Sequence, residues 1–192
     1  NSGNARLYIT AHGIYNAYIN GKKASDFILA PGTSQYNARL QYQTYDVSGL
    51  LNVGKNEILV TVGDGWWRGD TGYGGVRNSF GIDLAILCQL EIDRKTVLIS
   101  DKSWSASQEG PLGLNDLMQG ECYDARKENI CEWHPVTEKQ FGYENLVCSN
   151  SFDVVEKENY TGKQIHTPNG EVVIDFGQNI AGYVKFGFYA QA

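Results

Sequence analysis

Apolar and polar residues alternate over residues 5–11 and 14–19, and a period of two turns one face of each segment toward a core. Two strands are therefore expected, broken at Gly13. Asn20-Gly21 follows, a dipeptide suited to a type I′ hairpin because both central positions of that turn need positive φ. Residues 27–32 read as a short strand ending at Pro31, which has no N–H for a ladder. Residues 40–47, rich in tyrosine, form the next strand. Asp46 can then cap a single turn over 47–51 by accepting from free backbone N–H groups, and Gly54 and Asn56 break that turn. The β-branched run 57–62 reads as a buried strand emptying through Gly63 and Gly65 into a loop where Trp66 and Trp67 stand.

Residues 69–78 hold four glycines with Tyr73 and Arg77 among them, a loop of the length that usually serves function. Residues 81–92 predict a long apolar strand, and 96–100 with 103–106 a hairpin around Asp101-Lys102. Residues 120–129 carry mixed charge at the edge of the domain. Near Trp133-His134-Pro135 the pattern changes, and 141–166 is polar and weakly patterned. A turn at Pro168-Asn169-Gly170 precedes expected strands at 171–176 and 182–189. The whole predicts an all-β chain: a jelly-roll, galactose-binding-like β-sandwich over 1–136, then the start of a second β-sandwich over 137–192.

Composition supports strand over helix, since 22 Gly and 12 Tyr among 192 residues favour turns and pleated, half-buried surfaces. The net charge of −6 and the scattering of the 16 basic residues leave no footprint for a phosphate backbone, so nucleic acid is not expected as a partner. No apolar run reaches about 18 residues and no basic amphipathic helix is visible, so no membrane contact is expected. The first residues lack the charged and apolar regions of a signal peptide. The last residues still read as a strand, as in a piece cut from a longer chain, and localisation is unreadable. Cys88, Cys122, Cys131 and Cys148 show neither metal spacing nor the density of a disulfide framework.

The aromatic loop suggests carbohydrate, because an indole offers an apolar face and a polar N–H together. Packing within the sandwich is the default role for Trp66 and Trp67, and a strand end would turn their rings in opposite directions. Gly69 to Gly75 loosely resembles a phosphate cradle, but such cradles need a following helix and a strand follows here. Glycosidases use paired carboxylates. Asp64, Asp70, Asp83, Glu121, Asp124 and Asp175 are available, and each reads first as a solvated or turn-capping group. His12, His134 and His166 sit in no triad or metal pattern. Calcium is the metal such loops suit best, through the hard oxygens of Gln35, Asn37, Asn78 and Asp83.

Five blocks, ARLYITAHGIYNAYINGKKASDFILAPG, LQYQTYDVSGLL, VGDGWWRG, GECYDARKE and DFGQNIAGYVKF, resemble in combination and in order the N-terminal β region of bacterial α-L-rhamnosidases of glycoside hydrolase family 78. The resemblance implies a non-catalytic region of an inverting glycosidase whose acidic catalytic residues lie in a downstream barrel of helices. This chain itself would then be inactive, and its partners would be that barrel and an L-rhamnose-containing carbohydrate. Some family members use the matching sandwich to bind rhamnose with the help of calcium. Sugar contacts are accordingly expected at Gln35, Tyr36, Trp66, Arg68 and Asn78, and calcium contacts at Asn78 and Asp83. Where the family often reads W-T-D-Y, this chain reads Thr33-Ser34-Gln35-Tyr36, which removes an aromatic and a carboxylate and weakens the attraction for a divalent ion. Exposed apolar surface on the second unit would promote a homodimer of the excised piece. The alternatives are an accessory sandwich for another sugar, and a small hydrolase built on Asp64 and Asp70.

Overall fold

The computed structural model describes residues 3–71 and 74–187. Its first elements are the expected pair, β1 (Ala5–His12) and β2 (Ile14–Ile19). Asn20 and Gly21 then turn the chain with φ of 52° and 76°, the pair of positive values that the type I′ hairpin requires, into β3 (Lys22–Lys23). β4 (Leu40–Asp46) and β5 (Ile58–Gly63) also stand where the pattern put them. Between these two strands the Asp46 carboxylate accepts from both the N–H and the hydroxyl of Ser48, which closes the turn.

One helical turn, α1 (Gly65–Arg68), follows β5. Next come β6 (Ala85–Ile92), β7 (Lys95–Ile99), β8 (Ser105–Ala106), β9 (Leu112–Asp116) and β10 (Gly120–Tyr123). A 3₁₀ turn at Ala125–Lys127 precedes β11 (His134–Pro135) and β12 (Leu146–Cys148). The last described strands are β13 (Lys163–His166) and β14 (Val172–Asp175).

Two sheets make the sandwich, one in the order β12-β4-β1-β6-β7 and one in the order β3-β2-β5. In the larger sheet Leu7 lies opposite Tyr45 on one side and Leu90 on the other, both antiparallel, while β12 joins β4 in parallel. Period two then places Ala5, Leu7, Ile9 and Ala11 on the inner face, against Tyr15, Ala17 and Ile19 of the smaller sheet. All seven are buried. A polar device inside this core is the Tyr15 hydroxyl, which donates to Gln43 Oε1 at 2.8 Å and lies 3.0 Å from the Tyr45 hydroxyl. Gln43 in turn donates from Nε2 to the Pro31 carbonyl, so the chain carries this buried amide without an orphaned group.

Several expected strands are absent, displaced or shortened. Residues 27–32 form no strand, because Leu29 takes a left-handed φ of 63° that ends any extended run, and the Ala30 carbonyl accepts instead from Tyr15 N–H. The hairpin expected around Asp101-Lys102 lies earlier. β7 pairs with β6 across Asp93-Arg94, both at positive φ (49° and 63°), while β8 pairs with β11. Residues 81–84 precede β6 rather than belonging to it. Of the run expected at 182–189, residues 182–187 form no strand, and Phe188 and Tyr189 lie outside the described residues.

The chain divides into two compact units, Asn1–Val155 and Glu156–Ala192. The segment 137–155 separates this division from the boundary expected after residue 136, and it carries β12 into the large sheet of the first unit. In the second unit β13 and β14 form an antiparallel hairpin whose turn is the expected Pro168-Asn169-Gly170, with Gly170 at φ 87°. Among the described residues no helix is long and apolar enough to cross a membrane.

Candidate functional site

The chemistry-bearing residues gather where β5 gives way to α1. Gly65 sits at φ 53°, and a Cβ there would come within 2.6 Å of Ile14 Cγ2, so this corner admits glycine alone. The corner lets the chain coil for one turn, and the two tryptophans therefore lie on a helical turn rather than a strand end. Trp67 points inward and is 7% exposed, while Trp66 is half-buried against the same cluster.

Trp67 is the centre of an aromatic group. Its ring stacks on His12 at 3.7 Å and 8°, meets the edge of Tyr36 at 5.6 Å, and lies 6.2 Å from Phe80. Its indole N–H donates to the Asp83 carbonyl at 3.0 Å. His12, at the end of β1, also meets Phe141 edge-on at 4.4 Å, and its Nδ1 has no hydrogen-bond partner. Burial lowers its pKa from the ordinary 6.5. A histidine held neutral by the fold makes the unfolded chain the better proton binder, so stability is full above pH 6.5 and falls as pH drops below it. Chemical denaturation at pH 8 and pH 5 should show that loss, and His12→Gln should flatten it.

Beside the aromatic group lies a charged one. The Asp64 carboxylate accepts from Arg68 Nε at 2.9 Å and Nη2 at 2.6 Å, and from Arg77 Nη2 at 2.6 Å. Arg77 Nη1 reaches Asp116 Oδ2 at 2.7 Å and stands 3.9 Å from Asp70 Oδ1. Asp116 has no exposed side-chain surface, and it further accepts from the backbone N–H of Asp70, Met118 and Gln119. Burial by itself pushes the Asp116 carboxyl up, but those three N–H groups and Arg77 outweigh it and hold the group at about 2. The Asp70 carboxylate accepts from Gln119 Nε2 through Oδ2, while its buried Oδ1 has no hydrogen bond.

Sequence reasoning found Asp64 and Asp70 as carboxylates but not as an ion cluster, and it passed over Asp116. An Asx-type turn before Gly120 was the available signal, since Asp116 binds the N–H groups two and three residues on. The other carboxylates are turn-formers or surface groups. Asp124 caps the 3₁₀ turn and pairs with Arg126, Asp175 accepts from Gly177 N–H, and Glu121 is exposed.

The expected sugar-contact residues fall around this corner with different accessibility. Tyr36 is 2% exposed, and its hydroxyl donates to the Gly32 carbonyl. Gln35 is exposed, and its carbonyl accepts from the N–H groups of Ala38 and Arg39. Arg68 is half-buried and also donates to the Ile82 carbonyl. Asn78 is exposed at φ 60°, with its N–H on the Arg68 carbonyl. The Asp83 carboxylate pairs with Lys139 Nζ.

That donor set fits calcium poorly. Calcium takes six to eight oxygens with several carboxylates among them, yet Asp83 is engaged by an ammonium, and Gln35 and Asn78 carry no charge. Elsewhere among the described residues, Glu109, Glu132 and His134 bring donor atoms within 4.8 Å of one another, all on exposed side chains. Cys88 is buried, which pushes its thiol up to about 12, and Cys122, Cys131 and Cys148 are exposed and free.

Fold and site together define a β-sandwich module whose carboxylates serve structure. Residues 2–165 match the family model of the α-L-rhamnosidase N-terminal domain, and the chain belongs to that family. An α-L-rhamnosidase of Formosa agariphila is 35% identical over 179 residues, which are 90% of this chain and 19% of that protein. One from Streptomyces avermitilis is 35% identical over 196 residues, covering 94% of this chain and 19% of the relative. Among solved structures, native α-L-rhamnosidase from Aspergillus terreus superposes with a TM-score of 0.86 at 38% identity, over 92% of this chain and 22% of that one. The Streptomyces avermitilis enzyme complexed with L-rhamnose gives 0.82 at 34%, over 92% of this chain and 18% of that one. The chain thus spans about one-fifth of the length of the relatives it matches.

Proposed function

We propose that this chain is the non-catalytic N-terminal region of an enzyme that hydrolyses terminal α-L-rhamnosides, packing against a downstream catalytic part and contacting L-rhamnose weakly at the rim around Trp66. The observation that carries the non-catalytic half is the fate of the carboxylates. A glycosidase needs one carboxylic acid and one free carboxylate facing each other across a substrate. Here Asp64 and Asp116 are neutralised by arginines, and Asp70 lies in the same cluster with a glutamine amide on one oxygen. Carboxylates buried and held by arginine and amide donors do not reach a sugar. Release of nitrophenol from a nitrophenyl α-L-rhamnoside should be nil with the purified chain and measurable with the full polypeptide; turnover by the chain alone would overturn this half.

For the binding half, the half-buried Trp66 ring with Gln35 and Asn78 on exposed loops offers one apolar face and two amide groups, the donors and acceptors a pyranose needs. Calorimetric titration of L-rhamnose is expected to give a dissociation constant in the millimolar range, unchanged by calcium because the donor set does not suit that ion. Trp66→Ala should abolish the heat. No heat from the unaltered chain would leave only the packing role.

A further inference from the structure

Among the described residues β9 and β10 pair only with each other, joined by the turn at 117–119. Neither core cluster contains a residue of this ribbon. Its apolar side chains face solvent instead: Leu112 is 40% exposed, Leu114 37%, Leu117 37%, Met118 69% and Tyr123 52%. A lone two-stranded hairpin is marginal in water. This one is nevertheless held firmly at its turn end, where buried Asp116 takes four hydrogen bonds and the Asn115 carbonyl accepts from Asp64 N–H. The ribbon is anchored at its turn and presents apolar groups without joining either core cluster. Charged groups rim it, Glu121 on β10 and the Asp124–Arg126 pair just beyond. An apolar centre with a polar rim is the anatomy of an interface.

We propose that the β9–β10 ribbon is the surface by which this unit docks onto the downstream catalytic part of its own polypeptide. This rests on the reading that the chain is one region of a longer enzyme, and that reading leaves about four-fifths of the relatives' length to supply the partner. Five side chains on a hairpin fall well short of the roughly 1,200 Å² that a specific complex between separate molecules buries. Covalent attachment removes that requirement, because a tethered partner is present at an effective concentration near millimolar. The small size of the patch therefore favours a partner in the same chain over a second copy.

Cys122 tests the proposal, since it lies opposite Leu114 in the ribbon and is exposed. Alkylation by iodoacetamide is followed by peptide mass in the 192-residue chain and in the full polypeptide, with exposed Cys148 as the internal reference. The expected result is Cys122 reactivity at least about tenfold slower, relative to Cys148, in the full polypeptide than in the chain alone. Equal relative reactivity in both would overturn the proposal. So would protection of Cys122 in the chain alone that grows with concentration alongside a dimer on gel filtration, because a second copy would then be the occupant. The readout does not depend on turnover. A full polypeptide that protects Cys122 yet leaves rhamnosides intact refutes the proposed activity and not the docking surface.

Discussion

Trp67→Ala is expected to destabilise the first unit by about 3–5 kcal/mol in urea unfolding, the cost typical of emptying a buried aromatic site. The indole is surrounded by Tyr36, Phe80 and His12, and the backbone around it is stitched to neighbouring segments, with Phe80 N–H on the Trp67 carbonyl itself. Little of that wall can collapse into the space. Gly81 shows how closely it fits, since a Cβ there would come 2.5 Å from Trp67 Cζ2. Trp67→Phe should recover most of the loss, falling short by about 1 kcal/mol for the hydrogen bond to the Asp83 carbonyl. The alanine variant should also return His12 to an ordinary pKa by wetting its ring, so the stability difference between pH 8 and pH 5 should shrink with it.

Asp116→Ala is expected to cost about 3 kcal/mol, because removing one partner of a buried charged cluster strands the others. Arg77 would keep Asp64, but the N–H groups of Asp70, Met118 and Gln119 would lose their shared acceptor. The acid dependence identifies the mechanism. A carboxyl held at about 2 in the folded state and at 3.8 when free contributes fully above pH 3.8, and the contribution disappears as pH falls toward 2, where both states are protonated. It amounts to roughly 2 kcal/mol. Stability measured from pH 5 down to pH 2 should fall more steeply in the unaltered chain than in the variant. Parallel curves would show that Asp116 acts through shape alone. The same variant frees the ribbon from its base, so amide exchange over 112–123 should quicken even where the sandwich stays folded.

Trp67 and Asp116 differ in how far their local sequence announces their roles. Trp67 was legible as a packed residue because packing within the sandwich is the default role of a tryptophan beside a buried strand, even where a sugar role is the alternative. Its neighbours were not, since His12, Tyr36 and Phe80 are scattered along the chain. The charged cluster was less legible still. Asp64, Arg68 and Asp70 lie close together, but Arg77 comes from the next loop and Asp116 from a hairpin 46 residues beyond Asp70, and no local pattern says that these charges face one another.

Among the strands that local pattern named correctly, β1 and β2 show period-two alternation, β4 is rich in tyrosine and β5 is a β-branched run, and flanking turn residues bound them, all signals that report on the backbone directly. Where reading failed, the deciding contact was distant. Residues 27–32 looked extended but follow the needs of Tyr15 and Gln43, and residues 103–106 pair with β11 rather than folding back on β7. The sequence by itself determined an all-β sandwich, its hairpin at Asn20-Gly21 and its family, because alternation, turn chemistry and ordered blocks are properties of neighbouring residues. Only the tertiary structure decided which carboxylates are neutralised, which tryptophan is buried and which ribbon is left uncovered, because burial and charge pairing depend on residues that meet only when the sheets close.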